Sequence, residues 1–167
     1  MNCIAVVNPE RVTPEVVVAY SLRTAARAVV FDGDGRIALL HVQHHAYHKL
    51  PGGGIESGED IATALTRECQ EEIGCAIYIG ESLGEVHEYR KKYQQHQISY
   101  CFTAQVQGEK GQPSFTAEEQ AGGFAVPWYF PDEALMILES QVPTNYTGEF
   151  ITIRDTAIVR TALKLRA

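Results

Sequence analysis

Three glutamates, Glu68, Glu71 and Glu72, stand at i, i+3 and i+4 within residues 60–73, and their type and spacing are suited to holding a metal ion. Ile61, Leu65, Cys69 and Ile73 recur there every fourth residue, the period of one buried helical stripe. At about 100° per residue the three acids fall within an arc of roughly 100° beside that stripe. Glu72 lies nearly in line with Leu65, which predicts at least partial burial. In an ordinary helix this arrangement is unfavourable. Glu68 and Glu72 repel at i,i+4, and Glu71 and Glu72 occupy the negative end of the helix dipole, at about 0.2–1 kcal/mol for each effect. Burying an unpaired carboxylate costs more. A divalent cation reverses the sign of all three effects, and clustered carboxylate oxygens suit Mg²⁺, which commonly shares its shell with substrate phosphates. The alternative is a solvated acidic face on which Arg67 pairs Glu71.

The neighbouring residues are suited to positioning such a helix. Asp60 is placed to cap its first turn, with Ser57-x-x-Asp60 as a capping-box-like entry one turn earlier. Gly74 supplies the C-terminal stop. Ahead lies a glycine-rich loop over residues 53–59. Consecutive glycines let a backbone approach a metal–phosphate centre closely, although a tight turn into the helix explains them equally well from composition alone. The pattern extends further. Gly53, five residues, Glu59, seven residues, then Arg67-Glu68-Cys69-Gln70-Glu71-Glu72-Ile73-Gly74-Cys75 resembles the signature of the Nudix hydrolase family at every charged and glycine position. Cys69 and Cys75 depart from it, standing where the family has larger aliphatics, and cysteine buries like a small hydrophobe.

The resemblance implies a role for each matching residue. Glu68, Glu71 and Glu72 would be ligands of Mg²⁺ or Mn²⁺, joined by a loop carbonyl near Gly53. Glu68, oriented by Arg67, is alternatively the general base. Glu59 stands where the family has a structural acid that pairs Arg67, and Gly74 ends the helix. A second base is expected from the loop before a late strand, with Glu119 first and Glu118 next, against the alternative that both are solvated loop charges. The reaction implied is metal-dependent hydrolysis of a diphosphate bond in a nucleoside diphosphate derivative by attack of water on phosphorus. Marks associated with ADP-ribose or coenzyme A cleavage are not evident, since Tyr89 and Arg90 lie where a proline about fifteen residues downstream is missing. Tyr93, eighteen residues past Cys75, is only loosely placed for dinucleoside polyphosphates. A nucleoside triphosphate, intact or oxidised, is therefore the expected substrate. Tyr47, His48, Tyr89 and Arg90 are the candidates to contact its base or phosphates. The alternative from another class is a non-catalytic, nucleotide-sensing module of the same fold; such modules lose carboxylates of the motif, and here none is lost.

The remainder of the chain must supply a scaffold. Residues 26–31 and 36–42 read as two apolar strands around the turn Asp32-Gly33-Asp34-Gly35. The following run, residues 41–49, holds four of the six histidines. It invites a transition-metal reading, but no second ligand cluster is at hand, and a loop is expected, either solvated or touching substrate. Beyond the motif helix, strands are expected over 76–79, 82–87, 98–107 and 124–129. An exposed polar loop is expected over 88–97 and further loops over 114–119 and 140–148. A short helix runs from 131 to about 138 and a last helix over 149–165, in which Arg154 and Asp155 read as surface or capping charges. Residues 1–22, with strand-like Val16-Val17-Val18-Ala19-Tyr20, form an N-terminal extension, either an extra edge strand or a dimer contact; residues 23–167 form the domain. This order predicts an α/β fold with a mixed β-sheet between helices. It is also the α/β/α sandwich that the resemblance implies for about residues 25–165.

The 167 residues fit one domain with a sizeable core. A net charge of −7 argues against non-specific binding to nucleic acid or anionic membrane. It leaves room for a phosphate substrate, because a metal carries positive charge locally. The partners expected are a small nucleotide and, at most, a second copy of the chain. Cys3, Cys69, Cys75 and Cys101 are scattered without a Cys-x-x-Cys pair, which reads as reduced thiols and no zinc site. No basic-then-apolar leader and no apolar stretch approaching 18 residues is present, so a cytoplasmic location is expected.

Overall fold

In the computed structural model, which describes residues 1–166, the chain forms β1 (Cys3–Val7), α1 (Pro14–Val17), β2 (Ser21–Phe31), β3 (Ile37–Ala38), β4 (Leu40–Val42), β5 (Tyr47–Lys49), β6 (Gly52–Gly54) and α2 (Ile61–Ile73). It continues with β7 (Ala76–Arg90), β8 (Gln95–Gln107), α3 (Ala117–Ala121), β9 (Phe124–Ala125), β10 (Trp128–Tyr129), α4 (Pro131–Ser140) and α5 (Tyr146–Arg166). The main sheet runs β1-β7-β8-β2-β3-β10, with β6 also on β2, and a small second sheet runs β5-β4-β9. Parallel pairing of β2 with β8 and antiparallel pairing of β7 with β8 make the main sheet mixed.

β2 is the axis of this arrangement. Every residue from Ala25 to Phe31 is buried, as expected of a strand covered on both faces. Ala26, Ala28 and Val30 face α2, where they pack with Leu65, Cys69 and Ile73. Val29 and Phe31 face the other way, into a core shared with Leu138 of α4 and Phe150 and Ile158 of α5. Helices therefore cover both faces, the α/β/α sandwich expected. No described helix is long and apolar enough to cross a membrane.

Several local expectations are corrected. Residues 16–20 do not form a strand: Pro14 opens the short helix α1, since proline's fixed φ suits a first helical turn. The edge strand of the extension is Cys3–Val7, parallel to β7. The histidine-rich run is a hairpin, β4 with β5 around a 3-10 turn at Gln43–His45. Residues 88–97 are not an exposed loop, because β7 and β8 extend through them and only Lys91–Tyr93 turn. Glu88 and Gln97 are completely buried there. Pro127 interrupts the expected strand 124–129 and leaves the two-residue strands β9 and β10. Residues 117–121, which overlap the expected loop 114–119, are helical. In α5, Arg154 and Asp155 are buried rather than on the surface. All four cysteines are free, and only Cys3 is exposed.

Candidate functional site

Strand β6 brings the glycine loop against β2, pairing Gly54 with Ala25, Gly53 with Ala26 and Gly52 with Arg27. Gly52 has a φ of +131°, and a Cβ there would meet the Ala26 carbonyl oxygen at 2.1 Å, so both conformation and space demand glycine. At Gly53 the demand comes from the helix. A Cβ would lie 2.1 Å from Glu68 Oε1, which means that the Glu68 carboxylate rests directly on the loop backbone. The Asp60 side chain accepts the Thr63 N–H at 2.7 Å to start α2, and Gly74, at φ +67°, ends it.

Arg67 joins the loop to the helix. Its Nε and Nη2 donate to the two oxygens of Glu59 at 2.7 and 3.0 Å, Nη2 also to the Gly54 carbonyl at 3.0 Å, and Nη1 to Glu68 at 2.9 Å and Glu71 at 3.4 Å. Such a planar fork is a geometry that lysine does not supply. The Arg67 hydrogen bonds, then the Glu56 N–H, hold the Glu59 carboxyl down to about 2. Glu72 is 5% exposed and its oxygens are both engaged, one by Lys49 Nζ at 2.7 Å and the other by the Gly52 N–H at 2.8 Å. Burial and then the charge of Glu72 push the Glu68 carboxyl up, against the pull of Arg67. Glu71 is half exposed beside them.

Among the described residues, no three His, Cys, Asp or Glu side chains stand together as a metal cage. The donor set nevertheless fits a hard divalent cation. It is oxygen-only, Glu68 and Glu72 repel each other as a shared ion would relieve, and the glycine at 53 leaves the backbone open to Glu68. Lys49 and Arg67 supply positive charge beside these acids.

The other expected residues are engaged by other parts of the fold. Glu119 forms a capping box at the start of α3, accepting the Thr116 N–H at 2.8 Å while its own N–H donates to Thr116 Oγ1 at 3.2 Å. With Glu118 it lines a cavity of about 360 Å³ that also includes Tyr47, Phe124, Asn145 and Thr147. Tyr47 is buried in its wall. His48 is turned toward β4 and β10: its ring stacks on His41 at 4.3 Å and meets the Tyr129 hydroxyl at 3.4 Å. Burial and then His41 push it down to about 4. Tyr89 packs edge-to-face on His96 at 5.0 Å. Its neighbour Arg90 points to the opposite face of the sheet, as alternation requires, into a second cavity that Arg23, Arg27 and Arg154 also line.

Sequence reasoning missed Lys49, Arg23, Arg27 and the buried state of Arg154. Two signals were present. Arg27 is a lone cation inside an apolar strand, and Arg154 and Asp155 occupy the inner positions of the stripe Ile151, Arg154, Asp155, Ile158, an i, i+3, i+4, i+7 pattern.

The family model of the NUDIX domain matches residues 21–147. An RNA pyrophosphohydrolase of Dinoroseobacter shibae is 36% identical over 81 residues, which are 47% of this chain and 51% of that protein. The match thus spans about half the length of this curated relative. Among solved structures, a MutT protein from Methanosarcina mazei superposes with a TM-score of 0.60 at 16% identity, covering 89% of this chain and 98% of the other. A C. elegans Ap4A hydrolase does so with a TM-score of 0.61 at 17% identity, covering 88% and 100%. These two likenesses concern the fold.

Proposed function

The chain belongs to the Nudix family, and on that premise we propose that it is a pyrophosphohydrolase that cuts a diphosphate bond in a nucleoside triphosphate, intact or oxidised. The observation that carries this reading is the Glu68 carboxylate, packed on the Gly53 backbone and fixed by the Arg67 fork. A rigid acid beside a loop whose backbone admits close approach is what positioning of a phosphate and a water requires.

Nudix hydrolases use divalent metal ions. Mg²⁺, or Mn²⁺ in its place, would be held here by Glu68, Glu71 and Glu72 with a carbonyl near Gly53. When bound, it supplies countercharge for the phosphates and lowers the pKa of a water. Arg67 holds Glu59, Glu68 and the Gly54 carbonyl in register, so helix and loop act as one wall. Glu68, whose carboxyl is raised, is the first choice to take the proton of the attacking water. Glu119 is the second, and to act it must leave its cap on α3. The cavity with Tyr47 and Phe124 is the proposed place for the base.

A nucleotide panel with Mg²⁺ in ¹⁸O-labelled water tests this reading. Turnover with label in one phosphate product is expected. Saturable binding without turnover of any nucleotide would instead identify a sensing module. One observation favours a second substrate, the likeness to the Dinoroseobacter RNA pyrophosphohydrolase: a triphosphate carried on the 5′ end of RNA belongs on the panel, where faster release of pyrophosphate or phosphate from RNA than from free nucleotide would select it.

A further inference from the structure

Between the sheet and α5 lies a chamber of about 290 Å³ whose walls include Arg23, Arg27, Arg90, Arg154, Gln97 and Thr147. Arginines are almost never fully buried unless paired. Two of these are paired. Arg154 donates from Nε to Asp155 at 2.7 Å and from Nη1 to Glu88 at 3.4 Å, and Arg90 Nη2 donates to Glu88 at 2.7 Å. Arg27 is only 6% exposed, and no described residue accepts from its Nε or Nη1. Arg90 Nε and Arg154 Nη2 are likewise buried without an acceptor. Four guanidinium groups thus face two carboxylates, Glu88 and Asp155, with unmet N–H groups from three of them around a single cavity. Burial and then Arg154 push Arg27 down to about 10, so it is still a cation at neutral pH. Such a surplus of desolvated positive charge is unfavourable until an anion enters it.

The chamber adjoins the acidic site. Arg27 stands opposite Gly52 in the β2–β6 pair, and Arg23 Nη2 lies 3.1 Å from where a Cβ on Gly54 would stand. The charge of Arg27 is felt at both Glu68 and Glu72. Thr147 is common to the chamber and to the cavity that contains Glu119.

We propose that this arginine chamber receives a terminal phosphoryl group, a dianion the substrate carries beyond the bond that is cut, and so selects nucleotides ending in a phosphomonoester over those capped by a neutral sugar. The proposal rests on the pyrophosphohydrolase reading for its place in catalysis, but not for the existence of the anion site. Convergent N–H donors from β2, β7 and α5, three of them buried guanidinium groups with unmet N–H, match a phosphomonoester in both geometry and charge.

Inorganic phosphate, added to the full chain in the presence of a metal chelator, probes the site without turnover. Calorimetric titration and thermal melting should show binding and a raised melting temperature. Arg27→Met should weaken phosphate about tenfold to a hundredfold. Without phosphate it should melt no lower than the parent, since it removes a cation that lacks partners; a merely structural Arg27 would give a lower melting temperature. In turnover, Arg27→Met should lose kcat/KM for a nucleoside triphosphate more than for a nucleoside diphosphate-sugar. Absence of phosphate binding by the parent, or equal binding by Arg27→Met, overturns the anion site. Equal losses on the two substrates overturn the selection. Normal phosphate binding with no nucleotide turned over leaves the anion site standing and sinks the hydrolase reading. Should Arg27→Met not fold, Arg23→Gln, which removes the partly exposed guanidinium that bonds Gln97, reads the same loss of phosphate.

Discussion

The acidic face of α2 and the arginine chamber beside β2 both bury charge, yet they come from the chain in opposite ways. The acids and the residues that hold them, Lys49 to Glu72, lie within 24 consecutive residues, and Arg67 bonds its partners across one loop and the helix that follows it. The arginines come from β2, β7 and α5, with residues 23 and 154 at the extremes. In the first region the charges are satisfied by local geometry. In the second they meet only because three strands stack Arg23, Gln97 and Glu88 in register beneath one helix. A local motif can be read from spacing, whereas a site assembled by register cannot.

The largest expected difference between the two regions is kinetic. Glu68→Gln should lower kcat about 10²–10⁴-fold if Glu68 moves a proton, with little change in melting temperature. Measured against it, Glu119→Gln should cost less, and the reverse order would move the base to α3. The opposite region should respond in stability. Asp155 accepts the Leu50 N–H and the Arg154 Nε, both at 2.7 Å, in a buried setting. Asp155→Ala should therefore cost about 3–5 kcal/mol in urea unfolding; a loss below 1 kcal/mol would mean that this network is not what holds α5 to β5. Millimolar Mg²⁺ should raise the melting temperature of the parent, by up to about 2.7 kcal/mol of stabilisation at a hundredfold over Kd. No shift, or the same shift in Glu71→Gln and Glu72→Gln, would remove the ion from the acidic face.

The smallest effect concerns His48. Its pKa falls from 6.5 to about 4 on folding, so between those values the unfolded chain binds more protons. Stability should be complete above pH 6.5 and decline as pH falls toward 4. His48→Gln should flatten that decline in melting scans across pH 4–7, and an unchanged slope would place the titration elsewhere.

How much of the molecule was legible follows the same division. The caps of α2 follow from the residue types at Asp60 and Gly74, its buried stripe and the burial of Glu72 from helical periodicity, and all appear in the structure. The sandwich itself was legible from element order. Residues 88–97 were misread because Glu88, Arg90, Gln95 and Gln97 are polar, and polarity suggests solvent; they are strand residues whose polar side chains meet one another across β7 and β8 and below α5. The Val16–Tyr20 run was misread because β-branched residues suggest a strand, while Pro14 and the five backbone hydrogen bonds donated by residues 16–20 decide for helical turns. The expected contacts of His48 rested on its nearness in sequence to the glycine loop, but the β4–β5 hairpin turns its ring toward His41 and Tyr129.

Lys49 and Arg67 already sit on the carboxylates of α2. These are two tethered cations, supplied by the chain itself, that offset the charge of the acids. On the proposed function, loading would be an exchange, in which an incoming ion displaces a lysine and loosens an arginine. Stripping the site should therefore leave an intact, refillable protein, whose occupancy follows the free ion concentration around it.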